Sequence, residues 1–175
     1  MGDGCTVAGI WKGLKEMHRF GVIGRLPQLL GTQAEGAAPL ACAFRDGTED
    51  WEPVEAKTLA DSISVGSPGN GLKALRAVRE SGGAFITVSD REILDAEREL
   101  GSFGVFGEPA GVAGVAGIKR ARREGLIAAD QRVLHVLTGT GLKDVKAAVR
   151  AAQHQAVHVS PSLDSVKAVL KDAPR

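Results

Sequence analysis

The run G-L-K-A-L-R-A-V-R-E-S-G-G-A-F-I-T-V-S-D-R-E-I-L-D-A-E-R-E-L, from Gly71 to Leu100, decides the class of fold. Leu72, Leu75 and Val78 fall at helical spacing, and Gly82 and Gly83 close that helix. Ala84 to Val88 is short, apolar and rich in strand formers, so it predicts a strand. Ser89 with Glu92 three residues on is a capping box, and the helix it opens shows Ile93, Ala96 and Leu100 before Gly101. Helix and strand alternate, as crossover connections in a parallel sheet require.

The same alternation extends outward. Upstream, Val7, Ile10, Trp11, Leu14, Met17 and Phe20 predict a helix from Thr6 to Phe20, ended by Gly21 in a left-handed cap. Pro27 leads into a strand over Gln28 to Gln33 that ends at Ala34, Glu35 and Gly36. Ala56 to Ser64 reads as a helix, and Gly66 to Gly71, with Pro68, as a turn-rich break. Downstream, Phe103 to Phe106 is a strand candidate. Pro109 opens a helix whose Ala110, Gly111, Ala113, Gly114, Ala116 and Gly117 let a neighbouring backbone approach, with Lys119, Arg120, Arg122 and Arg123 against its dipole. Val133 to Leu137 has the continuous apolar pattern of a parallel strand buried on both faces. A Gly-rich turn, a helix from Lys143 to Gln153, a strand at Ala156 to Val159 and a helix beginning at Ser160 and Pro161 complete the pattern. The expected fold is α/β, a three-layer, open, mostly parallel sheet with helices on both faces, in one domain over residues 1–175.

Composition narrows the function classes. Lys and Arg number 22 against 21 Asp and Glu, and aromatic residues make up 4% with no Tyr, so neither a basic field nor stacking platforms for nucleic acid are present. No apolar run approaches a membrane span, and the charges at Asp3, Lys12, Lys15, Glu16 and Arg19 break up any signal-peptide core. Cys5 and Cys42 give neither a disulfide framework nor metal-ligand spacing, and a reduced, cytoplasmic setting is expected.

Chemistry is expected where glycines meet helix starts. Gly2, Asp3, Gly4, Cys5 and Thr6 stand directly before an amphipathic helix, so backbone amides converge as they would on a phosphate. The same spacing also fits a capped helix with a loose start. Thr138, Gly139, Thr140, Gly141, Leu142, Lys143 and Asp144 follow the Val133 to Leu137 run, at the edge where ligands of open α/β sheets gather. A plain Gly-rich strand-to-helix turn would read alike. Glu108 reads as a favourable charge near a helix start, and Glu35 and Gly36 as structural. Cys5 lies where a helix amino end lowers a thiol pKa but has no base partner in sequence. His18 reads as a helix-surface residue and His135 as an ordinary strand residue.

Six segments in order resemble the fold-type II pyridoxal-phosphate enzymes, and among them the threonine synthase family. They are G-D-G-C-T-V-A-G-I-W-K-G (2–13), Q-A-E-G-A-A-P-L (33–40), T-L-A-D-S-I-S-V-G (58–66), V-S-D-R-E-I-L (88–94), G-V-F-G-E-P-A-G (104–111) and T-G-T-G-L-K-D (138–144). The resemblance implies pyridoxal 5'-phosphate as cofactor, its phosphate held by Gly2, Asp3, Gly4, Cys5 and Thr6, and its pyridine nitrogen by the Thr138 hydroxyl. It implies conversion of O-phospho-L-homoserine to L-threonine and phosphate, a small-molecule amino-acid substrate and a homodimer in the full-length enzyme.

The family carries, ahead of the phosphate loop, a small domain and an S-x-K-D-R-like motif whose lysine binds the cofactor covalently. None of the nine lysines here lies in such a motif. The chain is therefore expected to be the carboxy-terminal part of the cofactor-binding domain, incomplete at its amino end and inactive alone. Threonine dehydratase, cysteate synthase and a non-catalytic phosphate- or nucleotide-binding domain are the alternatives. A Rossmann dehydrogenase domain is disfavoured, since the G-x-G-x-x-G after a first strand and the acidic residue after a second are absent.

Overall fold

In the computed structural model, which describes residues 1–152 and 157–171, two strands pair in parallel, β1 (Leu30–Ala34) and β2 (Ala84–Val88). Their register runs from Leu30 opposite Ala84 to Ala34 opposite Val88. Between them lie helix α2 (Pro39–Arg45), an irregular stretch, a 3-10 turn (Asp61–Ile63) and α3 (Gly71–Glu80). Ahead of β1 stands α1 (Cys5–Arg19), and after β2 come α4 (Asp90–Ser102), α5 (Pro109–Arg123), α6 (Val145–Ala152) and α7 (Leu163–Lys171).

Helices cover both faces of the strand pair. On one, Val112, Ala113 and Ala116 of α5 pack with Ala34, Val88 and, from α4, Ile93 and Ala96. On the other, Leu40 and Ala43 of α2 pack with Ala74 and Leu75 of α3, against which Phe85 of β2 lies. Period-2 alternation along β2 sends Phe85 and Val88 to opposite layers, and each fully buried aliphatic side chain contributes about 1.5–3 kcal/mol. The small residues of α5 do what their size allows. A Cβ at Gly114 would lie 2.6 Å from the His135 ring, one at Gly111 3.1 Å from the Gly139 carbonyl oxygen, and one at Gly117 would collide with Thr32 of β1.

Local signals form as expected. The capping box is made, with Ser89 N donating to Glu92 Oε2 at 2.9 Å and Glu92 N donating to Ser89 Oγ at 3.3 Å. Gly21 takes the left-handed φ of +73°. Trp11 is buried and its Nε1 donates to Glu80 Oε2 at 2.7 Å, which ties α1 to α3.

Five expected elements differ. Phe103–Phe106 is not a strand, because its amides close α4 instead: Phe103 N and Val105 N both donate to Leu100 O at 3.0 Å, and Gly104 adopts φ +77°. Val133–Leu137 is not a strand either, and Leu134 is 89% exposed. A continuous apolar run becomes a central strand only with strands beside it. Here β1 and β2 pair with each other, and the run lies along the glycines of α5, with His135 Nε2 2.8 Å from Gly111 O. The helix expected over Ala56–Ser64 forms only as the 3-10 turn Asp61–Ile63, and residues 56–60 have no regular structure, since Lys57 N donates to Gly36 O (2.8 Å) and Leu59 N to Asp90 Oδ2 (3.1 Å), which takes both amides out of a helical ladder. The last helix begins at Leu163, with Ser162 Oγ rather than Ser160 accepting from the Ser165 amide at 3.3 Å. Gln153 and Ala156, where a helix end and a strand start were expected, lie outside the described residues, and Val157–Val159 form no strand.

Candidate functional site

The Gly2–Thr6 segment is shaped by two close approaches. Gly2 is buried, and a Cβ there would stand 2.9 Å from Val65 Cγ2 and 3.0 Å from Ile63 Cα. Gly4 is the N-cap of α1 at φ +90°, and a Cβ on it would stand 2.8 Å from Asn70 O. Only glycine meets both demands cheaply. The first helical bond runs from Ala8 N to Gly4 O (3.1 Å), no side chain caps the helix, and the amides of Cys5, Thr6 and Val7 find no acceptor among the described residues. These are the donors a helix amino end offers to an anion.

Asp3 anchors this loop. Its Oδ1 accepts from Gly69 N at 2.7 Å, its carbonyl from Asn70 N at 3.0 Å, and its Oδ2 from the Cys5 thiol at 3.2 Å and Asn70 Nδ2 at 3.4 Å. The Gly69 amide, followed by Cys5 and Asn70, holds the Asp3 carboxyl below its ordinary range. The hydrogen bond to Asp3 pushes the Cys5 thiol up, not down as a helix amino end alone would, so Cys5 is a neutral donor here.

Thr138 is exposed and follows an irregular segment rather than a strand. The chain beyond it is fixed to the start of α5: Glu108 N donates to Gly139 O at 3.1 Å, Gly141 N to Phe106 O at 3.1 Å, and Gly107 forms an antiparallel bridge with Thr140. Glu108 is buried, and its side chain does not cap α5 although it occupies the N-cap position. Its Oε2 lies 3.2 Å from Lys143 Nζ instead, and Lys143 Nζ also donates to Ser62 Oγ at 3.0 Å. Asp61, Ser62, Glu108, Pro109, Ala110, Lys143 and Asp144 line a cleft of about 290 Å³.

One turn joins the two halves of the site: Gly2 packs on Ile63, and Ser62 next to it receives Lys143. Sequence reasoning reads the Asp61–Ile63 turn as part of a helix and places Lys143 in the Gly-rich stretch after Thr138, but gives neither a partner, because their contact joins segments 81 residues apart. Glu35 lies outside this cluster and pairs with Arg120, which also donates to Thr87 O. His18 is on the surface of α1, as expected.

The pattern of the family described as "Pyridoxal-phosphate dependent enzyme" matches residues 1–139. The chain belongs to this family. Among the relatives of this pyridoxal-phosphate enzyme, a threonine synthase of Methanocaldococcus jannaschii is 38% identical over 174 residues, which are 98% of this chain and 43% of that protein. A threonine synthase of Mycobacterium tuberculosis is 40% identical over 152 residues, 86% of this chain and 40% of that protein. The processed form of threonine deaminase isoform 2 from Solanum lycopersicum shares the fold at a TM-score of 0.68 and 17% identity, over 87% of this chain and 42% of that one. The chain thus spans less than half the length of the relatives it matches. The resemblance to threonine synthases and the α/β fold of this cofactor class both hold. Among the described residues no helix is long and apolar enough to cross a membrane.

Proposed function

We propose that this chain is the carboxy-terminal part of a threonine synthase that converts O-phospho-L-homoserine and water to L-threonine and phosphate, with the cofactor phosphate on Gly2–Thr6 and its pyridine nitrogen on Thr138. The carrying observation is the uncapped amino end of α1 behind Gly4 at φ +90°, a backbone shape kept by glycine because a Cβ there would stand 2.8 Å from Asn70 O. Amides there donate to a phosphate, and the exposed Thr6 hydroxyl adds a further donor. When bound, pyridoxal phosphate supplies an electron sink for carbanions of the amino-acid substrate. The Thr138 hydroxyl, a neutral partner, leaves the ring nitrogen unprotonated and so moderates that sink. Asp3 orients the loop by binding Gly69 and Asn70, and Glu108 fixes the backbone on which Thr138 sits.

Covalent attachment needs a lysine held beside the cofactor aldehyde, and no S-x-K-D-R-like motif is present. Lys15, Lys119 and Lys143 are engaged with Glu80, Glu99 and Glu108. On this reading the chain alone is inactive for want of that lysine motif, and the working enzyme is a cytoplasmic homodimer acting on a small amino acid without nucleic acid. The test is reduction with borohydride in the presence of pyridoxal phosphate, followed by peptide mass mapping and a phosphate-release assay on O-phospho-L-homoserine. We expect no lysine labelled stoichiometrically and no phosphate above a buffer control. One specifically labelled lysine, or phosphate release, would overturn the inactivity.

A further inference from the structure

We infer that Lys143 is a positioning residue that sets the distance between the Gly2–Thr6 loop and Thr138, acting through Ser62 on one side and Glu108 on the other. This rests on the cofactor reading above. A ligand held at its phosphate by one loop and at its ring nitrogen by another is bound well only if the two loops keep a fixed separation. Backbone hydrogen bonds secure each loop locally, Asn70 N to Asp3 O at one end and Glu108 N to Gly139 O at the other, but they do not join the ends. Ile63 shares an apolar core with Val112 and Ala113 of α5, and the Lys143 ammonium adds a directional, charge-assisted link between the two.

Two chains of contact meet at this nitrogen. Lys143 Nζ donates to Ser62 Oγ at 3.0 Å, Ser62 precedes Ile63, and a Cβ on Gly2 would stand 3.0 Å from Ile63 Cα. In the other direction Nζ lies 3.2 Å from Glu108 Oε2, and the Glu108 carboxylate packs so closely on Gly139 that any side chain there would collide with it. Gly139 is next to Thr138. Glu108 is 6% exposed, so its charge cannot rely on water, and the lysine is its sole cationic partner among the described residues. Removing the ammonium leaves that carboxylate uncompensated beneath Gly139 and removes the polar link between Ser62 and the start of α5, leaving the turn held there by the apolar packing of Ile63 on Val112 and Ala113.

The experiment compares two probes on the chain as it stands: inorganic phosphate, which needs only the Gly2–Thr6 loop, and 4-deoxypyridoxine 5-phosphate, which has ring and phosphate but no aldehyde to react with lysines. Dissociation constants are measured for the unchanged protein, Lys143→Met, Lys143→Arg and Glu108→Gln, with circular dichroism as the control for folding. We expect Lys143→Met to weaken the ring-bearing probe about tenfold, the size of one displaced charge-assisted hydrogen bond, and phosphate by less than about twofold. Lys143→Arg should restore the preference for the ring-bearing probe, and Lys143→Met added to Glu108→Gln should cost less than it does alone. If the unchanged protein favours the ring-bearing probe and Lys143→Met retains the full preference, the inference is wrong. A folded Lys143→Met that weakens both probes equally also overturns it. If the unchanged protein shows no preference, the cofactor reading fails, and this inference with it.

Discussion

Glu97 of α4 is 4% exposed, and neither carboxylate oxygen has a hydrogen-bond partner. Burial, followed by the nearby Asp144 charge, raises its pKa from the model-compound 4.5 to about 7. A carboxyl whose pKa is higher folded than unfolded binds its proton more tightly in the native state. Its contribution is therefore complete below about pH 4.5 and is lost as pH rises through about 7. A shift of this size corresponds to about 3 kcal/mol between those limits, an upper figure given the residual solvent contact. We predict that Glu97→Gln removes this loss. The amide has its own constant cost of burial, so the informative quantity is the change with pH in the stability difference between variant and parent. That difference should move in favour of Glu97→Gln by about 2–3 kcal/mol between pH 4.5 and pH 8.5, read by urea unfolding at each pH. The Met1 amine, lowered by burial to about 5, titrates in the same window with the opposite sign, losing stability as pH falls from 8. It is common to both proteins and cancels in the difference. A stability difference that does not change with pH would falsify the assignment of Glu97 as a buried, protonated acid.

Ile93→Ala empties the contact between α4, α5 and β2 and should cost about 2–5 kcal/mol in urea unfolding, whereas a cost below about 1 kcal/mol would mean that this core is loosely packed. Ser89→Ala breaks the capping box of α4 and should cost about 0.5–2 kcal/mol, read as a lower midpoint at unchanged slope. Gly4→Val places a branched side chain at φ +90° against Asn70 O and should weaken binding of inorganic phosphate, measured by calorimetry; unchanged affinity would remove the loop from the site. In a full-length relative of this chain, Thr138→Ala should shift the cofactor's absorbance and slow turnover while leaving the cofactor retained through dialysis; an unchanged spectrum and rate would remove Thr138 from the ring contact.

What could be read in the sequence was whatever a short stretch specifies by itself. β2 falls on Ala84–Val88 as expected, and α1, α3, α4 and α5 fall within a few residues of their patterns, because apolar spacing, the Ser89–Glu92 box and Gly21 act over one or two turns. The strands expected at Phe103–Phe106 and Val133–Leu137 needed partners elsewhere in the chain, which local pattern cannot supply. The first segment instead spends its amides on Leu100 O, and the second lies on the glycine face of α5. The site divides in the same way. The glycines and helix start proposed to hold the phosphate are a local pattern, while the Lys143–Glu108 pair spans 35 residues and becomes visible only once the chain is folded.

On the proposed reading, Asp3 belongs to an anion cradle without opposing the anion. A carboxylate beside a phosphate would repel it if both charges faced the same space. The Asp3 oxygens accept from Gly69 N, Asn70 Nδ2 and the Cys5 thiol, so the acidic group fixes the loop against the start of α3. The same contact raises the Cys5 pKa and keeps that thiol neutral, which removes a second source of repulsion. What remains without an acceptor among the described residues is the set of amides of Cys5, Thr6 and Val7, at the positive end of the α1 dipole. The charge that looks misplaced in the sequence G-D-G-C-T thus shapes the loop, and on the proposed reading the backbone amides are left to meet the phosphate.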